Sequence, residues 1–259
     1  MTSTRLILIN LYMVLLLCSV SLEATANSPS NPLSIFYEDD EVELTATCYL
    51  AESDAIIVFI PSVYAPFEDQ ERFAAEIAAN GLSACFSHVF TDLFLPMKSS
   101  YYESIPLGAM LALVAKIKRK TQKPVYMIAH GSGNRIIYGM AKLSMLLNKD
   151  THSLAGAILL SPNLLADTPE PGKDQQYMSL VHEKTIPLFI FQPSYSPHHW
   201  HLETLLAQIR ASGTKVRFRQ LPGVRDGYAL REDRTEKEQA LREQAAELFI
   251  GAIEQLKNE

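Results

Sequence analysis

The stretch Val125–Tyr138 reads VYMIAHGSGNRIIY. Its first six residues form a nearly continuous apolar run ending in histidine, as expected of a strand covered on both faces. Gly131-Ser132-Gly133 then supplies small residues for a tight turn. Beyond Arg135, apolar residues recur at helical spacing. A strand, a sharp turn and a helix in that order form half of a strand–helix–strand unit, so the flanking sequence should repeat the alternation.

It does so in both directions. Upstream, Leu33–Tyr37 and Val42–Tyr49 flank the acidic turn Glu38–Glu41 and read as an opening hairpin. Ala55–Pro61 is a second continuous apolar run. The helix Phe67–Ala79 follows, with Phe73, Ala74, Ile77 and Ala78 on one side and Asn80-Gly81 at its end. Leu82–Val89 is the next strand. Ser104 and Pro106 open a helix striped by Leu107, Met110, Leu111, Val114 and Ile117, with basic residues near its negative end. Downstream come a helix over Arg135–Leu147, strands Gly156–Leu160 and Leu188–Gln192, helix His201–Ser212 and strand Val216–Leu221. The last helix opens on the capping box Thr235-x-x-Glu238 and runs to Leu256. The class is therefore α/β: a doubly wound, mostly parallel sheet of about eight strands with an opening hairpin.

The 259 residues suit one such domain, spanning 33–259. Residues 1–26 read as a secretory signal peptide: Arg5, an apolar run from Leu6 to Leu22, and a small-x-small site at Ala24-Thr25-Ala26. Residues 27–32 (NSPSNP) form a short linker. The expected location is secreted or periplasmic, with membrane contact only through the leader if it stays uncleaved. A net charge of −6 with no Lys/Arg block argues against a nucleic-acid surface. After the leader only Cys48 and Cys85 remain, so export predicts one disulfide, the alternative being two buried thiols.

A strand ending in small-His, then Ser-x-Gly and a helix, resembles the nucleophile elbow of α/β-hydrolases. Ile186-Pro187-Leu188 and Leu221-Pro222-Gly223 resemble further motifs of those proteins, in the expected order. The resemblance implies an α/β-hydrolase-like sheet in which the second hairpin strand lies beside the strand after the first helix, bringing Cys48 to Cys85. It also implies where a catalytic triad should stand. The elbow needs small residues two before and two after its centre, and Ala129 and Gly133 fill those places around Gly131. Centring the turn on Ser132 would set His130 and Asn134 there, which are too large. The family histidine belongs after the last strand, where LPGVRDGY carries Asp226, and no histidine follows His201. The family acid position falls at Ser196, with Asp167 a possible substitute.

The triad positions thus read Gly131, Ser196 and Asp226, a degenerate set. An aspartate with a pKa of about 4 cannot relay a serine proton as imidazole does. The resemblance still implies an oxyanion hole from the Ser132 N–H and that of Ser62 or Val63. The expected function is a non-catalytic pseudo-hydrolase binding a small carboxylate or carbonyl ligand, or a protein partner, with no cofactor. Arg135 or Arg225 would be the charge partner. The alternative is an active serine carboxylic-ester hydrolase using Ser132 with His198 or His199 borrowed out of order. A weaker alternative is a metal-binding envelope protein using His198, His199 and His201, although HHxH matches no established ligand spacing. His88 and His130 also fall at strand ends, where His130 is expected to pack beside the elbow. Only 25 residues span Ser161–Thr185, so no large lid is expected and the pocket should be open.

Overall fold

A computed structural model describes residues 31–147, 154–168 and 175–258. The leader at 1–26 lies outside the described residues. Eight strands form a single sheet: β1 (Leu33–Glu38), β2 (Glu43–Tyr49), β3 (Ile56–Phe59), β4 (Ser83–Ser87), β5 (Val125–His130), β6 (Leu154–Leu160), β7 (Leu188–Tyr195) and β8 (Val216–Arg225). Their order is β1-β2-β4-β3-β5-β6-β7-β8. β1 and β2 form the antiparallel hairpin, β2 pairs antiparallel with β4, and β3 to β8 run parallel.

Seven helices accompany the sheet in the described residues: α1 (Phe67–Ala79), α2 (Val89–Asp92), α3 (Leu107–Thr121), α4 (Asn134–Leu146), α5 (Leu202–Ala211), α6 (Glu236–Glu243) and α7 (Ala245–Lys257). The strands are apolar throughout because each face has its own cover. In β5, Val125, Met127 and Ala129 join the core beneath α3, α4 and α5, while Tyr126 and Ile128 join the core beneath α1 and α7. β3 splits the same way, with Ile56 and Val58 on one face and Ile57 and Phe59 on the other. This is period-two alternation with both phases apolar.

Cys48 and Cys85 are register partners across β2 and β4 and are joined in a disulfide, as the resemblance implied. Three local expectations need correction. Ser104 does not cap α3: it ends a 3-10 turn over Ser99–Ser104, and Pro106 stands at the helix entrance. The strand expected over Leu82–Val89 ends at Ser87, and Val89 begins the short helix α2. The terminal helix breaks at Gln244, so its polar half packs by the loop after β8 and its apolar half lies on the sheet.

α6 is tied down by its capping residue. Thr235 Oγ1 accepts from the Glu238 N–H, and Glu238 returns a carboxylate oxygen to the Thr235 N–H. Glu238 is only 1% exposed, and it also takes the Arg225 N–H, Nε and a terminal guanidinium nitrogen. Those Arg225 bonds hold its carboxyl far below the ordinary 4.5, at about 2. A depressed pKa contributes stability above the unfolded value, so this share should fade as pH falls from about 4.5 toward 2. Glu238→Ala leaves Arg225 short of its partner and should cost about 3 kcal/mol in urea unfolding at neutral pH. The variant should also lose less stability than the parent over that acid range. Separately, peptide mapping without reductant should recover Cys48 and Cys85 in one linked species. Replacing both by alanine should cost about 2–4 kcal/mol.

Candidate functional site at the strand-end rim

The winding of the sheet reverses between β3 and β5, because β4 lies to one side of β3 and β5 to the other. In open α/β sheets, ligands collect beyond the strand ends at such a switch point. The loop after β3 and the turn after β5 meet there. Gly131 has φ +57°, a left-handed conformation that carries a cost for any residue with a Cβ. A Cβ on Gly133 would stand 3.4 Å from the Ala129 Cβ and 3.4 Å from the Tyr102 hydroxyl. The sharp turn is thus centred on Gly131, and its flanks have room only for small residues.

The turn is also clamped from below. The Gly131 carbonyl accepts from Asn134 Nδ2 at 2.8 Å and from the Asn163 N–H at 3.1 Å. Tyr102, fully buried, donates its hydroxyl to the Pro61 carbonyl at 2.8 Å and is contacted by the Val63 N–H. Above the turn lies Tyr64, whose ring carbon Cε2 would be 3.4 Å from a Gly131 Cβ. Tyr64 also meets the His130 ring edge-to-face at 5.1 Å.

The polar groups at the rim form one connected set. His130, 7% exposed, bonds Asp226 Oδ1 through Nε2 at 2.8 Å. The Gly227 N–H donates to the same oxygen at 3.0 Å, and the Ser161 hydroxyl also bonds the Asp226 side chain. Ser161 Oγ lies 2.8 Å from Ser196 Oγ, which in turn accepts from the His198 N–H. Burial pushes the Asp226 pKa up, but the bond and charge of His130, the Ser161 hydroxyl and the charge of His198 together hold it below the ordinary value. His198 is near enough to feel Asp226, although burial keeps its imidazole below the ordinary pKa. Ser161 has φ +44°, a strained backbone for a non-glycine residue, at the end of β6.

The residues read as degenerate triad members therefore stand together, with Gly131 at the turn and Ser196 and Asp226 linked through Ser161. Ser132 Oγ takes a hydrogen bond from Asn163 Nδ2 at 3.4 Å; among the described residues its partner is this amide and not an imidazole. The Ser62 N–H is engaged by Gln70 Oε1 at 2.6 Å. Arg135 is tied to Glu103 and the Leu165 carbonyl, and Arg225 to Glu238 and Asp233, so both expected charge partners are committed elsewhere. Asp167 is exposed. His199 Nε2 pairs with Gln220 at 3.4 Å, the His201 carbonyl accepts from Tyr177, and His88 pairs with Thr47. Among the described residues no group of three or more His, Cys, Asp or Glu side chains is placed to hold a metal ion.

Sequence reasoning missed Tyr64 and Ser161. Ser161 directly follows β6 and Tyr64 lies in the loop after β3, at the switch point, and that position is the signal that would have found them. Two spaces adjoin the site. An open cleft of about 160 Å³ is lined by Tyr64, His130, Asp226, Gly227, Leu230 and Arg231. A narrow apolar cavity of about 30 Å³, bounded by Phe59, Phe73, Phe191 and Tyr228 among others, runs beneath His130.

No family model matches the chain, and no curated protein matches it. Among solved structures it is similar to the esterase Est22, at TM-score 0.65 and 11% identity, covering 100% of this chain and 89% of that one. An arylesterase aligns at TM-score 0.63 and 8% identity over 86% of this chain and 85% of its own. A hyperthermophilic esterase from the archaeon Pyrobaculum calidifontis aligns at TM-score 0.59 and 14% identity, over 85% and 83%. The chain has the α/β-hydrolase fold.

The left-handed turn sets a measurable penalty. Gly131→Ala should lower unfolding stability by about 1–2 kcal/mol, since the added Cβ meets φ +57°. A neutral or stabilising result would mean that the turn is not held in that conformation.

Proposed function

We propose that this protein binds a ligand at the strand-end rim of a hydrolase fold without acyl-transfer chemistry. The observation that carries the reading is the elbow itself: glycine occupies its centre, and Asp226 rather than a histidine faces it from the loop after β8. Acyl transfer needs a nucleophile activated by an adjacent base. The single imidazole bonded within this network, His130, spends Nε2 on Asp226. The ligand is a small molecule in the cleft or a group presented by a protein partner. The leader and the disulfide both suit work outside the cytoplasm, secreted or periplasmic.

A second reading has its own support. Solved structures similar to this chain bear the names of esterases, which favours a serine ester hydrolase over a binding protein. In that reading Ser132 is the nucleophile and His198, whose pKa burial lowers against the opposing pull of the Asp226 charge, is the base. Catalytic hydrogen bonds in free enzymes are often long, and tighten only when substrate arrives. Against it, the Ser132 hydroxyl, one residue beyond the elbow centre, accepts from Asn163 Nδ2.

A fluorophosphonate probe separates the two, because it labels only an activated serine. The purified protein should stay unlabelled and should not turn over p-nitrophenyl acetate or butyrate above the buffer rate. Stoichiometric labelling that disappears in Ser132→Ala would establish the ester hydrolase and remove the binding-protein reading.

A further inference from the structure

The hydrogen-bonding polarity of the rim cleft is opposite to that of an oxyanion site. An anion needs donors. The Ser62 N–H is engaged by Gln70, the Val63 N–H by the Tyr102 hydroxyl, and Arg135 and Arg225 are committed to other partners. Arg231 lines the cleft, but its Nε and a terminal nitrogen lie 2.9 and 3.1 Å from the Asp233 carboxylate oxygens. Of the expected donors the Ser132 N–H and the buried Arg135 Nε are left, and Arg135 does not line the cleft; a lone backbone amide does not hold a carboxylate beside Asp226.

Acceptors, by contrast, are in surplus. A carboxylate offers about four lone-pair positions. Asp226 receives His130 Nε2, the Gly227 N–H and the Ser161 hydroxyl, while its side chain stays 25% open to solvent. Because an ionised carboxylate only accepts, His130 Nε2 carries the proton it presents to Asp226. His130 Nδ1 is buried and has no hydrogen-bond partner, in a side chain more than nine-tenths buried. A buried polar atom without a partner marks a place where the protein's own inventory is incomplete. Tyr64, 65% exposed, adds an aromatic ring to the same wall.

We propose that the Tyr64–His130–Asp226 cleft binds a small organic ammonium group rather than a carboxylate. An ammonium brings three donors and no acceptor, the complement of what the cleft leaves open. Its charge answers Asp226, and the Tyr64 ring offers a cation a favourable face. At about 160 Å³ the cleft is below the roughly 300–1,000 Å³ of sites for drug-sized molecules, so it takes a headgroup or a chain end. Any attached alkyl portion would lie toward Leu230. The inference rests on the binding reading above and names the ligand class for that site.

The test is a pair of titrations of the purified protein at constant ionic strength, ethylammonium chloride in one and sodium acetate in the other. Backbone amide shifts of Gly131–Asn134 and Gly227 are the readout. Ethylammonium should give saturable shifts at those amides and acetate should not. Asp226→Asn, nearly the same shape without the charge, should weaken the ammonium response at least tenfold. Tyr64→Leu, at an exposed position that does not threaten folding, should weaken it severalfold. Saturation by acetate at these amides, an undiminished ammonium response in both variants, or no response to ammonium would each overturn the proposal. Fluorophosphonate labelling keeps the two failures apart: a labelled serine removes the binding reading, whereas an unlabelled protein blind to ammonium removes only this assignment.

Discussion

The close passage of β5 into α4 is the constraint on which the rest of the rim depends. The chain must leave a fully covered central strand and reverse into a helix lying against the same sheet. That can happen only if the backbone enters the left-handed region at one residue and the flanking side chains are small. Gly131 at φ +57° satisfies the first demand, and Ala129 with Gly133 satisfies the second. None of this requires catalysis. A serine at this centre would carry strain that glycine relieves. Fold and nucleophile are therefore separable, and the turn persists on packing grounds alone.

What the turn positions is a polar network with its members exchanged. The loop after β8 delivers an acid instead of a base, and the imidazole comes from the last residue of β5. Their bond spans 2.8 Å, in a site bordered by Phe59, Phe73 and Phe191. An ionised carboxylate is tolerable there because three donors reach it. Losing any of them would leave a half-buried acceptor short, at a cost of about 1 kcal/mol. Ser161 and Ser196 extend the network toward the place where the family acid would stand, so that position is filled by a hydroxyl bridge rather than left empty. The site is thus a coherent polar cluster and not simply a triad with parts removed.

Much of this was legible in the chain, and the reasons differ by element. β3 and β5 announced themselves because strands covered on both faces lack polar residues, and their two-sided burial bears that out. The Thr235–Glu238 box could be read because its two bonds are local. The Cys48–Cys85 pairing followed from the resemblance, since it depends on β2 lying beside β4, a neighbour relation that no local pattern encodes. The break at Gln244 escaped because apolar residues keep helical spacing across it. The His130–Asp226 bond joins residues 96 positions apart and was invisible to spacing. The same holds for the Gln70 side chain that engages Ser62, a polar residue on α1 whose partner lies in a loop.

The difference between serine at 131 and serine at 132 is one of direction, and it bears on how glycine can stand at the elbow centre without harm to the fold. At the left-handed centre the Cα–Cβ bond projects toward the Tyr64 ring and hence toward the rim. One residue later the chain has already entered the 3-10 turn that leads into α4, and the side chain leans toward the Asn163 loop. Transferring the hydroxyl by one residue therefore rotates it away from the groups after β8 rather than shifting it slightly. The Ser196 hydroxyl holds the His198 N–H and ties that loop to Ser161. The network that stabilises Asp226 therefore also fixes the start of the His198 loop through Ser196.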